Sequence, residues 1–359
     1  MTRERKPQTH DTTLFWLTLA TSIVGLVFIL DAGYAQGLRI NNGILPRPFI
    51  AQIAFLVIGI IAFLALRFSK PERLKRNTLW WVGLAFLGLI LVEIIGVKQN
   101  GARRWIGTDA IKVQPAEFMK VGAILFLAWA LEKKASWQST WQKRKQLKGW
   151  ASQVFWPKFR RFMPALVILV ACGFVEHEKD LGTASVILAT SIAMFMSAPV
   201  TWKSVAATVG VLAIGLTLMV WKEPYRLERF MVHPKRWEKQ YINDESFQTI
   251  HSELAMASGG LNGAGFGNGR AKHILPATTS DFVMATVAEE TGIWGVAACL
   301  GLVGGICMRL MSMARKTQDK FRSRFMIGVA WWIGIQACTN LMMANATLPA
   351  IGIPFPFIS

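Results

Sequence analysis

The chain has 359 residues, of which 53% are hydrophobic and 17% charged, with a formal net charge of +19. A soluble domain carries about a quarter charged residues, so this composition excludes an ordinary soluble globular protein. The four cysteines (Cys172, Cys299, Cys307 and Cys338) lie in apolar runs without CxxC spacing, which argues for free thiols over disulfides or metal ligands.

A bilayer core about 30 Å thick needs roughly 20 apolar residues per helix. Runs of that kind lie near 14–31, 48–66, 79–97, 116–131, 181–199, 203–221, 282–308 and 325–345, with a shorter one at 164–176. The first has no small-residue cleavage site and reads as an anchor, not a removable signal. The expected fold is an all-α polytopic membrane protein with about nine transmembrane helices, forming a single membrane domain over 1–359. Three segments are neither spans nor short loops: 98–117, 222–282 and 346–359. Segments this long usually carry function.

The charge distribution orients the spans. Basic residues cluster in the tail 1–12, in 67–76, in the loop 133–163, at Lys203 and in 309–324, which together hold 24 of the 40 Lys and Arg residues. The loop 222–282 is close to neutral, with eight basic and seven acidic residues. This positive-inside pattern places the N-terminus in the cytoplasm, and the three long segments and residue 359 outside. Basic loops facing anionic lipid account for the net charge without any nucleic-acid partner.

Polar residues at membrane depth are expensive and are the candidates for chemistry. Glu93 lies near the outer end of the third span. Glu117 and Lys120 share one helix face, so either an ion pair that fixes packing or a substrate contact fits them. Asp180 lies in HEKDLGTAS between two spans, and Glu289 and Glu290 lie inside the eighth, where a structural role is favoured. Asp281 stands at a loop–helix junction on the outer face, at the level of a lipid headgroup. The glycine-rich approach to it includes Gly259, Gly260, Gly263, Gly265, Gly267 and Gly269. It is either a flexible loop or a backbone that approaches a ligand closely. Arg103, Arg104, Arg226, Arg229 and Lys272 lie on the same side, and guanidinium forks suit a pyrophosphate. No zinc-ligand spacing and no Ser-His-Asp arrangement is apparent.

At these residues the chain resembles the SEDS family, which includes FtsW, RodA and SpoVE. The carriers are NGARRWI (100–106), QPAEFMK (114–120), DLGTA (180–184), FQTIHSELAMASGGLNGAGFGNG (247–269), SDFVMATVAEETG (280–292) and LPAIGIPFPFIS (348–359). The resemblance implies a ten-span bundle that polymerises lipid II, an undecaprenyl-pyrophosphate-linked precursor of peptidoglycan, together with a class B penicillin-binding protein and other divisome or elongasome membrane proteins. It implies residence in the bacterial cytoplasmic membrane, and it leaves a lipid II flippase as the competing reading. In the family pattern PFPFIS continues into a tenth span, so the sequence reads as a ten-helix design stopping before its last helix.

The aspartate matching the family's essential one is Asp281, the expected general base. Arg103, Arg104, Lys120, Arg226, Arg229 and Lys272 are the expected headgroup or pyrophosphate contacts, with Glu117, Asp180, Gly259 and Gly260 completing the candidate substrate-binding set. No cofactor is required, although a divalent cation such as Mg or Mn is one way to neutralise the leaving pyrophosphate. The chain departs from the family at LPATTSDF, where Ala277, Thr279 and Ser280 replace Glu, His and Thr, and at Glu178–Lys179, which replaces Gln-Pro.

Overall fold

The computed structural model describes residues 11–359 except 41–44, 69–70, 100–101, 108–111, 144–155, 199–201, 222–223, 243 and 245. The first half runs α1 (Thr12–Ile40), α2 (Arg47–Arg67), α3 (Pro71–Arg76) and α4 (Thr78–Ile95). A small antiparallel sheet follows, in the order β1 (Val97–Gln99), β2 (Ala102–Gly107), β3 (Lys112–Val113). Then come α5 (Pro115–Lys143), α6 (Trp156–His177), α7 (Leu181–Met196) and α8 (Trp202–Trp221). The long loop holds α9 (Pro224–Val232), a 3-10 turn at His233–Lys235, α10 (Phe247–Gly259) and α11 (Ala271–Ile274). The long helices α12 (Val283–Lys316) and α13 (Lys320–Ala344) precede an irregular segment that ends the chain.

Each apolar run read from the sequence coincides with the body of one helix. Lipid offers the backbone no hydrogen-bond partner, so an apolar run must satisfy its own N–H and C=O groups within a helix. Among the described residues, α1, α2, α4, α12 and α13 are long and apolar enough to cross a membrane, and α6 and α7 carry shorter apolar stretches. The chain is a multi-pass membrane protein. Large apolar side chains such as Trp80, Leu66 and Ile94 face outward, as expected of a surface solvated by lipid.

Two apolar cores share one helix. The first joins α4, α5, α6, α7 and α8 around Leu89, Met119, Leu127, Ile168 and Leu188. The second joins α1, α12, α13 and the C-terminal segment around Val283, Met284, Phe355 and Ile358. Helix α13 packs against α12, α7 and α5 and so stands between the two. Its buried residues include the amides Gln336 and Asn340. Helix α2 packs on α1 and buries no residue.

The loop expected over 222–282 is a folded element docked on α12. Helix α12 breaks at Gly292, whose φ is 64° and ψ −161°. The break lets the glycine segment bond to the helix backbone: Ala264 N–H donates to the Glu289 carbonyl (2.8 Å), Gly265 N–H to the Glu290 carbonyl (3.0 Å), and Ile293 N–H to the Gly260 carbonyl (3.0 Å). A Cβ at Gly292 would lie 2.2 Å from the Leu261 carbonyl oxygen and would hold a left-handed backbone. Gly292→Ala is therefore expected to lower stability by at least about 2 kcal/mol. Gly301→Ala in the same helix, where a Cβ meets nothing within 4 Å, is expected to be neutral or to stabilise by up to about 1 kcal/mol. Thermal unfolding of both variants in detergent checks the contrast, and equal losses would refute it.

Candidate active site

Four connections converge on one cleft of about 480 Å³, lined by Arg104 of β2, Asp180 and Lys179 of the α6–α7 turn, Arg229 of α9 and Asp281 before α12, with the 349–352 backbone alongside. Successive strand residues point to opposite faces, so only one of the arginine pair in β2 can reach it. Arg104 does. Its Nε donates to the Glu178 carbonyl (3.0 Å) and its Nη2 to the Lys179 carbonyl. Both bonds hold a tight turn in which Lys179 has a φ of 61°. Asp180 then caps α7: its Oδ1 accepts from Thr183 N–H (2.9 Å) and its Oδ2 from Gln114 Nε2 (2.6 Å). The DLGT part of the DLGTA motif is thus a helix N-cap that fixes an acid at the cleft wall.

Asp281 sits on a turn closed by Phe282 N–H and Ser280 N–H donating to the Ala277 carbonyl (3.2 and 3.1 Å). Ala277 itself has a φ of 58°. Asn340 Nδ2 donates both to the Asp281 carbonyl (2.8 Å) and to the Ile353 carbonyl (2.7 Å), which ties this turn to the C-terminal segment. The carboxyl group is largely buried at the cleft wall. Burial pushes its pKa up to about 6, the negative charge of Asp180 adds to the rise, and Arg104 opposes it. Arg229 holds the facing edge by donating from Nη1 to the Ala350 carbonyl (2.7 Å).

The sequence pattern of the cell cycle protein family FtsW/RodA/SpoVE matches residues 11–359. The chain belongs to the FtsW/RodA/SpoVE family. It is 30% identical to a probable peptidoglycan glycosyltransferase FtsW of Haemophilus influenzae, over 98% of this chain and 85% of that one. It is also 30% identical to a protein of the same description from Coxiella burnetii, over 98% and 91%. Among solved structures, a chain of a peptidoglycan synthase complex that coordinates polymerization and crosslinking superposes with a TM-score of 0.73 at 24% identity, covering 98% of this chain and 92% of that one. The rod shape determining protein RodA of Thermus thermophilus superposes with a TM-score of 0.64 at 23% identity, covering 98% and 92%. These two likenesses concern the fold.

Of the remaining candidate residues of this FtsW/RodA/SpoVE chain, those whose side chains are described fall outside the cleft. Arg103 is exposed and donates to the Glu93 carbonyl (2.7 Å). Lys120 is buried in the helix packing, paired with Glu117 (2.7 Å), bonded to Gln336 (3.0 Å) and lying over the Trp332 ring. Lys272 is also buried and bridges Asp31 of α1 (2.7 Å) and Glu290 (2.8 Å). Gly259 packs against α12, where a Cβ would meet the Ala288 carbonyl at 1.9 Å, and Gly260 caps α10. The side chain of Arg226 lies outside the described residues. The glycine-rich segment offers its amides inward: Gly267, Gly269, Arg270 and Ala271 N–H donate to the carboxylates of Glu289 and Glu290 at 2.9–3.1 Å. It therefore cradles carboxylates of its own chain.

Sequence reasoning passed over Gln114, Gln336, Asn340 and Gly352, all of which hold the site from behind. Gln114 lies in a quoted motif, but a lone buried amide carries no signal of its own. Among the described residues no group of three or more His, Cys, Asp or Glu side chains is arranged to hold a metal ion. The residues placed to meet negative charge at the cleft are Arg104, Lys179 and Arg229.

Glu178, a departure from the family pattern, lies beside the cleft, 1% exposed, and neither carboxylate oxygen has a hydrogen-bond partner among the described residues. Burial, then the charges of Asp180 and Glu93, push its pKa up to about 8 against the opposing Arg104. A carboxyl raised in the folded state is neutral there at pH 7 but ionised when unfolded, so it costs stability above its unfolded pKa near 4.5 and the cost grows until about pH 8. Glu178→Gln is expected to stabilise the protein at pH 7 by about 1–3 kcal/mol, with the gain vanishing near pH 4. Melting curves of both proteins across that range test this, and a gain independent of pH would contradict it.

Proposed function

We propose that this chain is a peptidoglycan glycosyltransferase that polymerises lipid II at the outer face of the bacterial cytoplasmic membrane, working with a class B penicillin-binding protein. The observation that carries the reading is the placement of Asp281, a largely buried carboxyl beside Arg104, Lys179 and Arg229 in one cleft. Relatives described as FtsW support a role in division, with other divisome proteins as partners. The solved synthase complex supports the pairing with a cross-linking enzyme. The positive-inside pattern supports a cytoplasmic N-terminus, which puts the cleft on the outer side.

The reaction forms one bond and breaks one. The 4-hydroxyl oxygen of one saccharide attacks the anomeric carbon of another. The bond from that carbon to the pyrophosphate oxygen breaks, and its electron pair leaves with the undecaprenyl pyrophosphate. The hydroxyl proton passes to the Asp281 carboxylate. A base is most useful when its pKa lies near the working pH. An aspartate near its usual 3.8 would be ionised but weak, whereas one raised to about 6 is still mostly ionised at pH 7 and binds the proton more readily. Cations fixed before the reaction stabilise the departing charge without reorganising.

With purified protein, labelled lipid II and the partner penicillin-binding protein, Asp281→Asn is expected to lower glycan synthesis by about 10²–10⁴-fold. The wild-type rate is expected to fall as pH drops through about 6, because the base must be ionised. Asparagine removes the cost of ionising a buried group, so the same variant is expected to unfold later at pH 7, by the equivalent of about 2 kcal/mol. Undiminished synthesis by the variant would refute the assignment of the base.

A further inference from the structure

The turn between α6 and α7 carries a buried acid that nothing holds. Neither carboxylate oxygen of Glu178 has a hydrogen-bond partner among the described residues. Buried polar groups are normally satisfied, and an ionised carboxylate is costly to keep out of water without donors around it. The charged groups that act on Glu178 come from three elements. Asp180 in the same turn and Glu93 at the end of α4 are negative and favour its neutral form, while Arg104 of β2 opposes them. The adjoining His177 is exposed and bonded to Glu93 (2.6 Å), and the adjoining Lys179 is exposed and lines the cleft.

Arg104 is bonded to this same turn, but through its backbone. Nε donates to the Glu178 carbonyl (3.0 Å) and Nη2 to the Lys179 carbonyl. The two bonds keep the guanidinium at the cleft wall and hold the left-handed backbone of Lys179. This arrangement is stable only while the Glu178 side chain is neutral. A carbonyl is an uncharged acceptor, whereas a carboxylate binds a guanidinium through shorter bonds about twice as strong. An ionised Glu178 therefore outcompetes both carbonyls for the same N–H groups. A guanidinium drawn to it leaves the Lys179 carbonyl unpaired and the left-handed turn unsupported. Asp180, which follows directly and caps α7 through Thr183 N–H, moves with that turn.

We infer that Glu178 is a positioning residue: protonated, it leaves Arg104 on the two carbonyls at the cleft wall, and deprotonated, it draws the guanidinium off them, loosens the turn over 178–183 and turns the cleft off at alkaline pH. The only covalent change is loss of the carboxyl O–H, whose proton goes to water or hydroxide. The effect on catalysis rests on the polymerase reading above, whereas the movement of the turn does not. The device belongs to the departure of this chain from the family pattern, Glu178–Lys179 in place of Gln-Pro, because an amide at 178 has no such proton to lose. Activity then has two limits. Asp281 must be ionised, which places the acid limb near pH 6, and Glu178 must be neutral, which places the alkaline limb near pH 8.

The test compares full-length wild type with Glu178→Gln, which keeps the size of the side chain and removes the proton. The first measurement is amide hydrogen exchange of the peptide covering 178–184, at pH 7 and pH 9. Comparing the two proteins at one pH cancels the intrinsic pH dependence of exchange. The wild-type-to-variant ratio of exchange rates is expected to rise about tenfold between the two pH values, following the ionised fraction of Glu178. The second measurement is glycan synthesis from labelled lipid II with the partner penicillin-binding protein. The wild-type-to-variant ratio of rates is expected to fall about tenfold over the same interval, following the neutral fraction. A constant exchange ratio would overturn the switch. A constant ratio of synthesis rates would assign any alkaline limb to another group and overturn the positioning role. If exchange responds as expected but the wild type makes no glycan at any pH, the polymerase reading falls and the switch stands.

Discussion

The site depends on two carboxylates that never face it. Glu289 and Glu290 lie on α12 and are buried among apolar neighbours. Moving an ionised carboxylate out of water costs several kcal/mol unless donors replace the lost hydration. Here the donors are four backbone N–H groups of residues 267–271 and the ammonium of Lys272. Meeting that demand wraps the glycine segment around the helix and fixes the chain leading to Asp281. Lys272 in turn reaches Asp31, so α1 is locked to the same point. The break at Gly292 is part of this arrangement, since it lets backbone meet backbone where a continuous helix would present side chains.

A second brace runs through α13. This helix is central to the bundle, and a purely apolar face would pack it without fixing its register. Gln336 instead bonds Lys120 on one side and the Pro354 carbonyl on the other. Asn340 bonds the carbonyls of Asp281 and Ile353. A buried amide leaves an uncompensated polar group if the helix slides, which makes each such bond a register mark. The result is that the α5 helix, the turn bearing Asp281 and the C-terminal segment are fixed relative to one another. Gly352 shows how close they come: a Cβ there would stand 3.6 Å from Asp281 Oδ2.

What was legible in the sequence follows from which physics is local. Apolar runs are a local signal, and each became one helix. The Glu117–Lys120 spacing is local too, and the pair forms at 2.7 Å. Asp281 was marked by its position at a loop–helix junction. Glycine was ambiguous, since a loop that binds phosphate and one that binds the chain's own carboxylates share the same composition. Only the docking of residues 263–271 on Glu289 and Glu290 separates the two. The basic residues were legible as charges but not as directions. Strand pleating sent Arg103 and Arg104 to opposite faces, and burial drew Lys120 and Lys272 into the packing. The sheet at β1–β3 was not foreseen at all, because strands of two to six residues give too short a pattern to read.

The cationic side of the cleft is built to be rigid before it is built to be charged. Arg104 spends two of its donors on the carbonyls of Glu178 and Lys179, and Arg229 spends one on Ala350. Each guanidinium carries five donors, so both keep others for a ligand. A side chain already anchored loses little entropy on binding and does not reorganise as charge develops. The same anchoring sustains the left-handed turn at Lys179, which would otherwise cost about 1–2 kcal/mol. That turn is what places Asp180 and the buried Glu178 next to Arg104: burial and the charge of Asp180 raise the pKa of Asp281 and of Glu178, and the arginine restrains both rises. Strain, cation and acid therefore form one unit: the guanidinium at the cleft wall is the one that holds the turn, and the turn carries the Asp180 charge that adds to the effect of burial on Asp281.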